Sequence, residues 1–190
     1  MPKIRLDACV ESVTRGVRLR TEQLKKLLRE DKGDAKYLAQ NEIEQGWILY
    51  HQLPFIKTDA VECPINEKYY LQPRDIVIAK SGKNVKAAIA TANPGAIVVS
   101  GSLFIVRINS EMINPIIVFA YLNSKEGQLQ LQDSCKNNNI TPSSIRNIWI
   151  YSPNEEAQHL IVDNFVKSEE FFYKSFEAQN AIQQFFDSHR

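Results

Sequence analysis

Residues 155–188 read EEAQHLIVDNFVKSEEFFYKSFEAQNAIQQFFDS and contain neither glycine nor proline. A segment of this length predicts a helix of about 50 Å at 1.5 Å per residue, and Glu155 and Glu156 suit its positive N-terminal pole. At 100° per residue the apolar side chains form two adjoining stripes. The first consists of Ile161, Phe165, Phe172, Phe176 and Phe186, and the second of Leu160, Phe171, Ala178, Ile182 and Phe185.

Two apolar stripes are wider than one contact needs, so the helix either packs twice against its own domain or packs once there and once on a partner helix. A domain this small covers so long a terminal helix poorly, which favours the partner helix. The predicted partner interface comprises Ile161, Phe165, Phe172, Phe176, Ile182 and Phe186.

The residues before this helix alternate short apolar runs with turn signals. Ile76–Ala79, Ile97–Val99 and Leu103–Ile108 predict buried strands, while Thr21–Glu30 and Pro115–Leu122 have helical patterns. Short strands around a turn at Gly46 and a helical turn from Ser143 leading into a strand complete the pattern. The fold class is therefore α+β: a mixed, β-rich domain with short helices at residues 1–153, followed by one long C-terminal α-helix of coiled-coil or spacer type at residues 154–190.

The charges balance overall but are unevenly placed along the 190 residues. There are 23 Lys and Arg against 22 Asp and Glu, a net charge of +1. Residues 1–36 and 74–107 each have a net charge of +4, whereas residues 153–190 have a net charge of −4. Two basic blocks are thus offset by an acidic helix, and their local field favours phosphate. The sequence shows no signal peptide and no apolar run of about 20 residues, which predicts a cytoplasmic protein without a membrane span.

No motif predicts a metal, a cofactor or a catalytic group. Cys9, Cys63 and Cys135 are odd in number and widely spaced, and three scattered histidines form no ligand pair. Residues 80–84, KSGKN, lack the first glycine and the Ser/Thr of a phosphate-binding loop. Asp34-Ala35-Lys36 has the Asp-x-Lys spacing of some metal nucleases, but it lies in a polar, glycine-containing stretch with no paired upstream acid on a strand. Residues 100–102, SGS, do not have the glycines of a nucleophile elbow.

Five features along the chain, in this order, resemble the specificity subunits of type I restriction–modification systems. They are Tyr69–Ala79 leading into a central strand, the following Gly82, the small-residue-then-strand segment Val99–Val106, the "tyrosine-leucine, serine, Gly-Gln" helix Phe119–Gln130, and the junction Ile150–Ile161 into the long helix. The sequence departs from the family pattern at two positions. Arg74 stands where the family usually has glycine, and Tyr151 where it usually has the first proline.

The resemblance implies a target recognition domain followed by one spacer helix, which is a half-size form because family members usually have two such units. Each domain of the family reads half of a split double-stranded DNA site, the helices pair antiparallel, and methyltransferase subunits that modify adenine dock on the assembly. The implied protein is a DNA-binding specificity subunit without catalytic activity or cofactor. Its partners would be a second copy, the methyltransferase subunit and, through the complex, the restriction subunit.

Three loops supply the candidate DNA contacts, because Lys and Arg bind phosphates and Asn reads adenine. The candidates are Lys80, Ser81, Lys83, Asn84 and Lys86 in the glycine turn, Arg15, Arg18 and Arg20 in the early loop, and Lys136, Asn138 and Asn139 in the third loop. Two alternatives stay open at this point. One is a standalone DNA-processing or hydrolytic enzyme with an unrecognised site, and the other is an orphan copy that only binds the methyltransferase.

Overall fold

The computed structural model describes residues 2–30, 32–60, 65–80, 85–135 and 139–188, without the side chains of residues 60, 179, 180 and 182–188. The chain divides into two compact units, Met1–Ser152 and Pro153–Arg190. The first unit contains twelve short strands and four short helices among its described residues, and the second is one helix, so the architecture is α+β as predicted. None of the described helices is both long enough and apolar enough to cross a membrane.

The elements of the first unit follow one another closely. The strands are β1 (Lys3–Arg5), β2 (Val10–Arg15), β3 (Leu28–Arg29), β4 (Ala35–Leu38), β5 (Ile43–Glu44), β6 (Trp47–Ile48), β7 (Phe55–Ile56), β8 (Ile76–Ala79), β9 (Ala87–Ile89), β10 (Ile97–Val99), β11 (Leu103–Ile108) and β12 (Trp149–Tyr151). The helices are α1 (Thr21–Leu27), α2 (Pro115–Asn123), α3 (Lys125–Asp133) and α4 (Pro142–Arg146), and single 3-10 turns lie at Leu6–Ala8, Gln40–Glu42, Thr58–Ala60 and Glu67–Tyr69.

The central sheet is antiparallel with strand order β2-β11-β8-β9. All four residues of β8 are buried, as the unbroken β-branched run at this position predicts for a strand covered on both faces. The register pairs Phe104 with Ile78 on one side of β11 and with Arg15 on the other. The apolar side chains of this sheet form the main core with those of the hairpin formed by β5 and β6.

A second sheet has the order β10-β4-β7-β3, in which β10 and β4 run parallel. Leu27, Ile56 and Val98 are fully buried beneath it and form a smaller core. Gly33 lies so close to β7 that a Cβ atom there would be 2.1 Å from the carbonyl oxygen of Ile56. A glycine before β4 is therefore required by the approach of the two backbones.

The segment with the tyrosine-leucine, serine and Gly-Gln pattern forms the junction between α2 and α3, and the contacts there explain its residue types. The Ser124 hydroxyl accepts a hydrogen bond from the Gly127 N–H (3.1 Å) and so caps α3. A Cβ at Gly127 would lie 2.0 Å from the carbonyl oxygen of Tyr121, so only glycine fits. The Gln128 side chain donates to the Leu122 carbonyl oxygen at 2.8 Å. These residues hold two helices together, which is a structural role.

Asp75 fixes the entry into the central sheet. Its carboxylate is 1% exposed and accepts two hydrogen bonds from Arg107, at 2.9 and 2.8 Å. One of its oxygens also accepts from the Gln72 backbone N–H at 2.8 Å. A buried charge paired by a forked guanidinium and a backbone donor is fully compensated, so this pair joins β8 to β11.

Arg74 has a left-handed backbone, with φ of 61°. The family glycine at this position therefore has a physical reason, because a Cβ atom disfavours this conformation. We expect Arg74→Gly to stabilise the protein by about 0.5 kcal/mol. This is the difference between about 1–2 kcal/mol of relieved strain and roughly 0.5–1 kcal/mol of added freedom in the unfolded chain. Urea unfolding checks it, with Arg74→Ala as the matched control because it removes the guanidinium and keeps the Cβ. A glycine variant no more stable than the alanine variant would contradict this explanation.

The second unit is the helix α5, which spans Glu155–Ser188 as the sequence predicts. The Asn154 side chain accepts from the Ala157 N–H at 3.2 Å and caps its start. On its polar side Glu170 and Lys174 form an exposed ion pair at 2.6 Å. Phe172 and Phe176 make an edge-to-face contact with ring centroids 4.8 Å apart.

Candidate nucleic-acid interface

At one end of the central sheet, β2 and β8 end and β11 and β9 begin. Because neighbouring strands run antiparallel, the last residue of β2 and of β8 lies beside the first residue of β11 and of β9. The backbone N–H of Lys80 donates to the Ser102 carbonyl oxygen at 2.9 Å. The Ala79 N–H donates to the Lys86 carbonyl oxygen at 2.8 Å. Lys80 therefore lies directly beside the 100–102 turn, and Lys86 lies beside the end of β8.

The early loop joins the same end of the sheet. The Val17 N–H donates to the Val99 carbonyl oxygen (2.8 Å), and the Gly101 N–H donates to the Val17 carbonyl oxygen (2.7 Å). A Cβ at Gly16 would lie 2.2 Å from the Ser100 carbonyl oxygen, so this contact needs glycine. Gly16 thus marks a close approach of two backbones.

The arginines of this loop lie beside the 100–102 turn. The half-buried Arg15 donates from Nε to the Gly101 carbonyl oxygen at 2.8 Å, which fixes its guanidinium. Arg18 is exposed, and its Cγ is one of the atoms nearest to Gly101. Arg20 is also exposed at the start of α1, where its backbone N–H donates to the Gln23 side chain at 2.9 Å.

The third loop reaches the same place. The Ile140 N–H donates to the Lys80 carbonyl oxygen at 2.9 Å, so the segment that includes Asn139 ends against the glycine turn. Asn139 is half-buried. Lys86 is exposed, but its ammonium group donates to the Ile43 carbonyl oxygen at 2.9 Å and so leans on the β5–β6 hairpin. The remaining predicted contacts, Ser81, Lys83, Asn84, Lys136 and Asn138, lie outside the described residues.

The segments that meet here are basic without any opposing acid. The described residues 15–20, 79–80, 85–87, 99–104 and 139–141 contain five Lys or Arg and no Asp or Glu. We call this end of the sheet the loop surface, defined by Arg15, Arg18, Lys80, Gly101, Ser102, Lys86 and Asn139. Such a field attracts phosphate groups.

The sequence alone does not indicate the place of residues 100–102 at the centre of the loop surface. Ser100 is almost buried, and its hydroxyl accepts from the Ser102 hydroxyl at 3.1 Å. Burial raises the pKa of Tyr37, whose hydroxyl is hydrogen-bonded to Ser100. The serines therefore tie the two sheets together at this point, and only pairing between distant strands brings them there.

The Asp-x-Lys pair has structural partners. The Asp34 carboxylate accepts hydrogen bonds from the Thr58 N–H (2.8 Å) and from the Thr58 hydroxyl, which lowers the pKa of Asp34. The Lys36 ammonium donates to the Tyr50 carbonyl oxygen at 3.0 Å and lies 5.1 Å from the Phe55 ring centroid. In the described part of the chain there is no group of three or more His, Cys, Asp or Glu residues that could hold a metal.

The two stripes of α5 differ in exposure. In the first stripe Phe165 is buried and Ile161, Phe172 and Phe176 are half-buried. In the second stripe Leu160 is 62% exposed and Phe171 is 77% exposed. The side chains of Ile182 and Phe186 lie outside the described residues. Of the two stripes, the one with Leu160 and Phe171 therefore presents the more exposed apolar side chains among the described residues.

The fold is similar to that of solved structures from restriction–modification systems. No family model and no curated protein matches the sequence. Among solved structures, a chain of a type I restriction–modification complex is 15% identical with a TM-score of 0.61, and the match covers 94% of this chain and 40% of that one. The resemblance read from the sequence is thus confirmed at the level of the fold.

Two further structures sharpen the comparison. The HsdS subunit from Thermoanaerobacter tengcongensis is 17% identical with a TM-score of 0.56, and the match covers 94% of this chain and 39% of that subunit. The type IIG restriction endonuclease BpuSI is 14% identical with a TM-score of 0.62, and the match covers 85% of this chain and 26% of the endonuclease. The chain spans about two fifths of the length of the specificity subunit that it matches.

Proposed function

We propose that this protein recognises a specific double-stranded DNA sequence as a half-size specificity subunit of a type I restriction–modification system. The observation that carries the proposal is the loop surface, where basic residues of the early loop, Lys80 and Lys86 meet Asn139 at one end of a sheet. The hydrogen bonds among Lys80, Ser102, Val17 and Ile140 hold these loops in a fixed arrangement. A rigid basic surface suits the reading of a duplex of fixed shape.

Within this surface the side chains divide by chemistry. Lys80, Arg18 and Lys86 bind phosphates and set the position of the duplex, since cations contribute affinity that depends little on sequence. Asn139 reads a base edge, because a side-chain amide matches the donor and acceptor pattern of adenine in the major groove. Lys83, Lys136 and Asn138 add to these two roles.

The α5 helix supplies the second element of the proposal, pairing with the same helix of a second copy. The exposure of Phe171 and Leu160 supports this pairing. Large apolar side chains exposed on one face of a helix are typical of a surface that binds a partner. The exposure of Leu160 and Phe171 supports a contact centred on their stripe, with Phe165, Phe172 and Phe176 at its flank. A two-fold pair would present identical recognition domains to two inverted copies of one half-site.

The same reading assigns the protein no chemistry and no cofactor of its own. A methyltransferase subunit would bind the paired helices and modify adenine after taking the base out of the stack, and the restriction subunit would join through that complex in the cytoplasm. The enzyme alternative draws on the endonuclease BpuSI among the similar structures. Because Asp34 and Lys36 are engaged by Thr58 and Tyr50, that pair is not a candidate nuclease centre.

A binding selection tests the proposal. The purified protein is mixed with a library of random duplexes at about 0.15 M salt, and the bound fraction is sequenced over several rounds. We expect a recurring short motif to be enriched without any partner subunit, because the loop surface belongs to this chain alone. Nicked or cleaved duplexes in the same reactions would favour the enzyme, and a bound fraction as random as the input would contradict recognition.

A further inference from the structure

One arginine of the loop surface is held in a fixed orientation before any ligand binds. Arg15 is the last residue of β2, and its half-buried side chain donates from Nε to the Gly101 carbonyl oxygen at 2.8 Å. Within the described part of the chain this is the only hydrogen bond of the guanidinium. The described residues contain no buried side-chain nitrogen or oxygen that lacks a partner. The terminal nitrogens Nη1 and Nη2 of Arg15 are therefore accessible to a ligand.

The neighbouring strand shows the partner that such a guanidinium normally has. Arg107 of β11 is also half-buried, and it donates two hydrogen bonds to the Asp75 carboxylate, at 2.9 and 2.8 Å. In the described part of the chain no ion pair includes Arg15. A half-buried charge is unfavourable unless an opposite charge or strong acceptors compensate it. The acceptors that complete the partners of Arg15 are therefore those of a bound molecule.

Arg15 lies between the cations that we assign to phosphates. Lys80 joins the 100–102 turn from the β8 side, where its N–H donates to the Ser102 carbonyl oxygen at 2.9 Å. Arg18 lies against the same turn from the β2 side and is exposed. In the major groove the base edges lie between the two phosphate chains. When the outer cations contact phosphates, the guanidinium in the middle of the surface faces the base edges.

A guanidinium fixed at Nε and accessible at both terminal nitrogens matches the edge of guanine. Guanine presents two acceptors in the major groove, O6 and N7, and each accepts from one terminal nitrogen of an arginine. Adenine instead presents a donor beside its N7, and cytosine presents a donor. A phosphate also accepts from arginine, but a contact that sets position without reading sequence does not need a fixed side-chain plane. The hold on Nε lowers the entropy lost when the planar contact forms.

We propose that Arg15 is a specificity-determining residue that donates from Nη1 and Nη2 to O6 and N7 of one guanine in the DNA target. This assignment rests on the proposed recognition of double-stranded DNA and names one base pair of the recognised sequence. The recognised half-site therefore contains at least one G·C pair that is read in the major groove.

Alanine variants of two neighbouring arginines test the assignment. Arg15→Ala and Arg18→Ala each remove one cation beside the 100–102 turn, and each is used in the same duplex selection as the wild-type protein. We expect Arg15→Ala to accept any base at one position where the wild-type protein prefers guanine by about tenfold or more. Arg18→Ala should keep the whole motif and bind every duplex more weakly. An unchanged motif in the Arg15 variant, or a wild-type motif without a G·C pair, would overturn the assignment.

A modified base tests the same contact in the wild-type protein, so the result does not depend on the folding of a variant. 7-Deazaguanine replaces one guanine of the selected duplex at a time; it lacks the N7 acceptor and still pairs with cytosine. We expect one position at which the replacement lowers the affinity of the wild-type protein by about fivefold or more, and no such loss at that position with Arg15→Ala.

The outcomes separate this contact from the proposed function itself. If the wild-type protein selects a motif but tolerates 7-deazaguanine at every position, the guanine contact is overturned and DNA recognition stands. An equal loss with wild-type protein and with the folded Arg15 variant would also overturn the role of Arg15. A wild-type protein that selects no common motif would overturn the proposed function, and the guanine contact with it.

Discussion

Replacing Arg18 and Lys80 by glutamate is expected to lower the affinity for the selected duplex by about 100-fold or more at 0.15 M salt. Both residues flank the 100–102 turn at the centre of the loop surface, and they come from separate segments of the chain. Each substitution removes a cation and adds an anion beside phosphate, so attraction becomes repulsion. Each lost phosphate contact should also reduce the slope of log affinity against log salt by about 0.9. Fluorescence anisotropy over a salt series measures both quantities.

The same pair of charges can be reversed elsewhere on the unit. Lys57→Glu with Lys125→Glu changes the net charge equally, and Lys57 already faces Asp59 at 3.4 Å. We expect this control to change the affinity by less than about threefold, since surface charges beyond a Debye length of about 8 Å are screened. If both double variants weakened binding equally, net charge rather than the loop surface would explain the affinity.

Replacing Leu160 and Phe171 by glutamate is expected to convert a dimer into a monomer, with a dissociation constant raised by about 100-fold or more. Both side chains are largely exposed in the single chain, so the fold should be retained. Burying each of these side chains between two paired helices would stabilise the dimer by roughly 1.5–3 kcal/mol. The monomer should then bind a duplex with two half-sites about 100-fold more weakly. Once one domain is bound, the second is no longer held at a high effective concentration beside the other half-site. Sedimentation equilibrium and anisotropy measure these changes.

Val166→Glu is the matched control for the helix. Val166 is 43% exposed, but at 100° per residue it lies more than 100° around the helix from the line of Leu160 and Phe171. We expect this variant to remain a dimer. Dissociation by the Val166 variant, or a persisting dimer in the Leu160 and Phe171 variant, would show that the pairing surface lies on another side of α5.

The elements predicted most accurately from sequence are those with strong local patterns. The bounds of β8, β10, β11 and α5 match the predicted runs, because a continuous β-branched segment or a helix free of glycine and proline is defined by its own residues. The hairpin around Gly46 is also confirmed, with Gln45 and Gly46 both at positive φ. The helix predicted at Thr21–Glu30 ends earlier, at Leu27, because helix ends fray and compete with turns.

The second sheet was not predicted. Its strands β3 and β7 have two residues each, and β4 pairs in parallel with β10 from a distant part of the chain. Such short strands carry almost no periodicity of their own. The structure also places Gly33 and Gly16 against a neighbouring backbone. The need for glycine at these positions depends on contacts between distant residues, so the neighbouring sequence does not indicate it.

The resemblance rests mainly on residues that hold the fold. Gly127, Ser124 and Asp75 each make a contact that few other residues could make, so they indicate architecture directly and function only through it. The candidate site, in contrast, could be predicted only in part. The basic loops could be found from charge, but their meeting at one sheet end could not, because it depends on the pairing of β2, β11 and β8.

The measurement that tests the central claim most directly is the sequence of the duplexes that the wild-type protein selects. A two-fold pair of identical recognition domains predicts two inverted copies of one short motif at a fixed separation. In anisotropy, scrambling one copy should lower the affinity by about 100-fold or more. A single uninterrupted motif would contradict the paired arrangement, and selected duplexes without any common motif would contradict sequence-specific recognition of DNA by this protein.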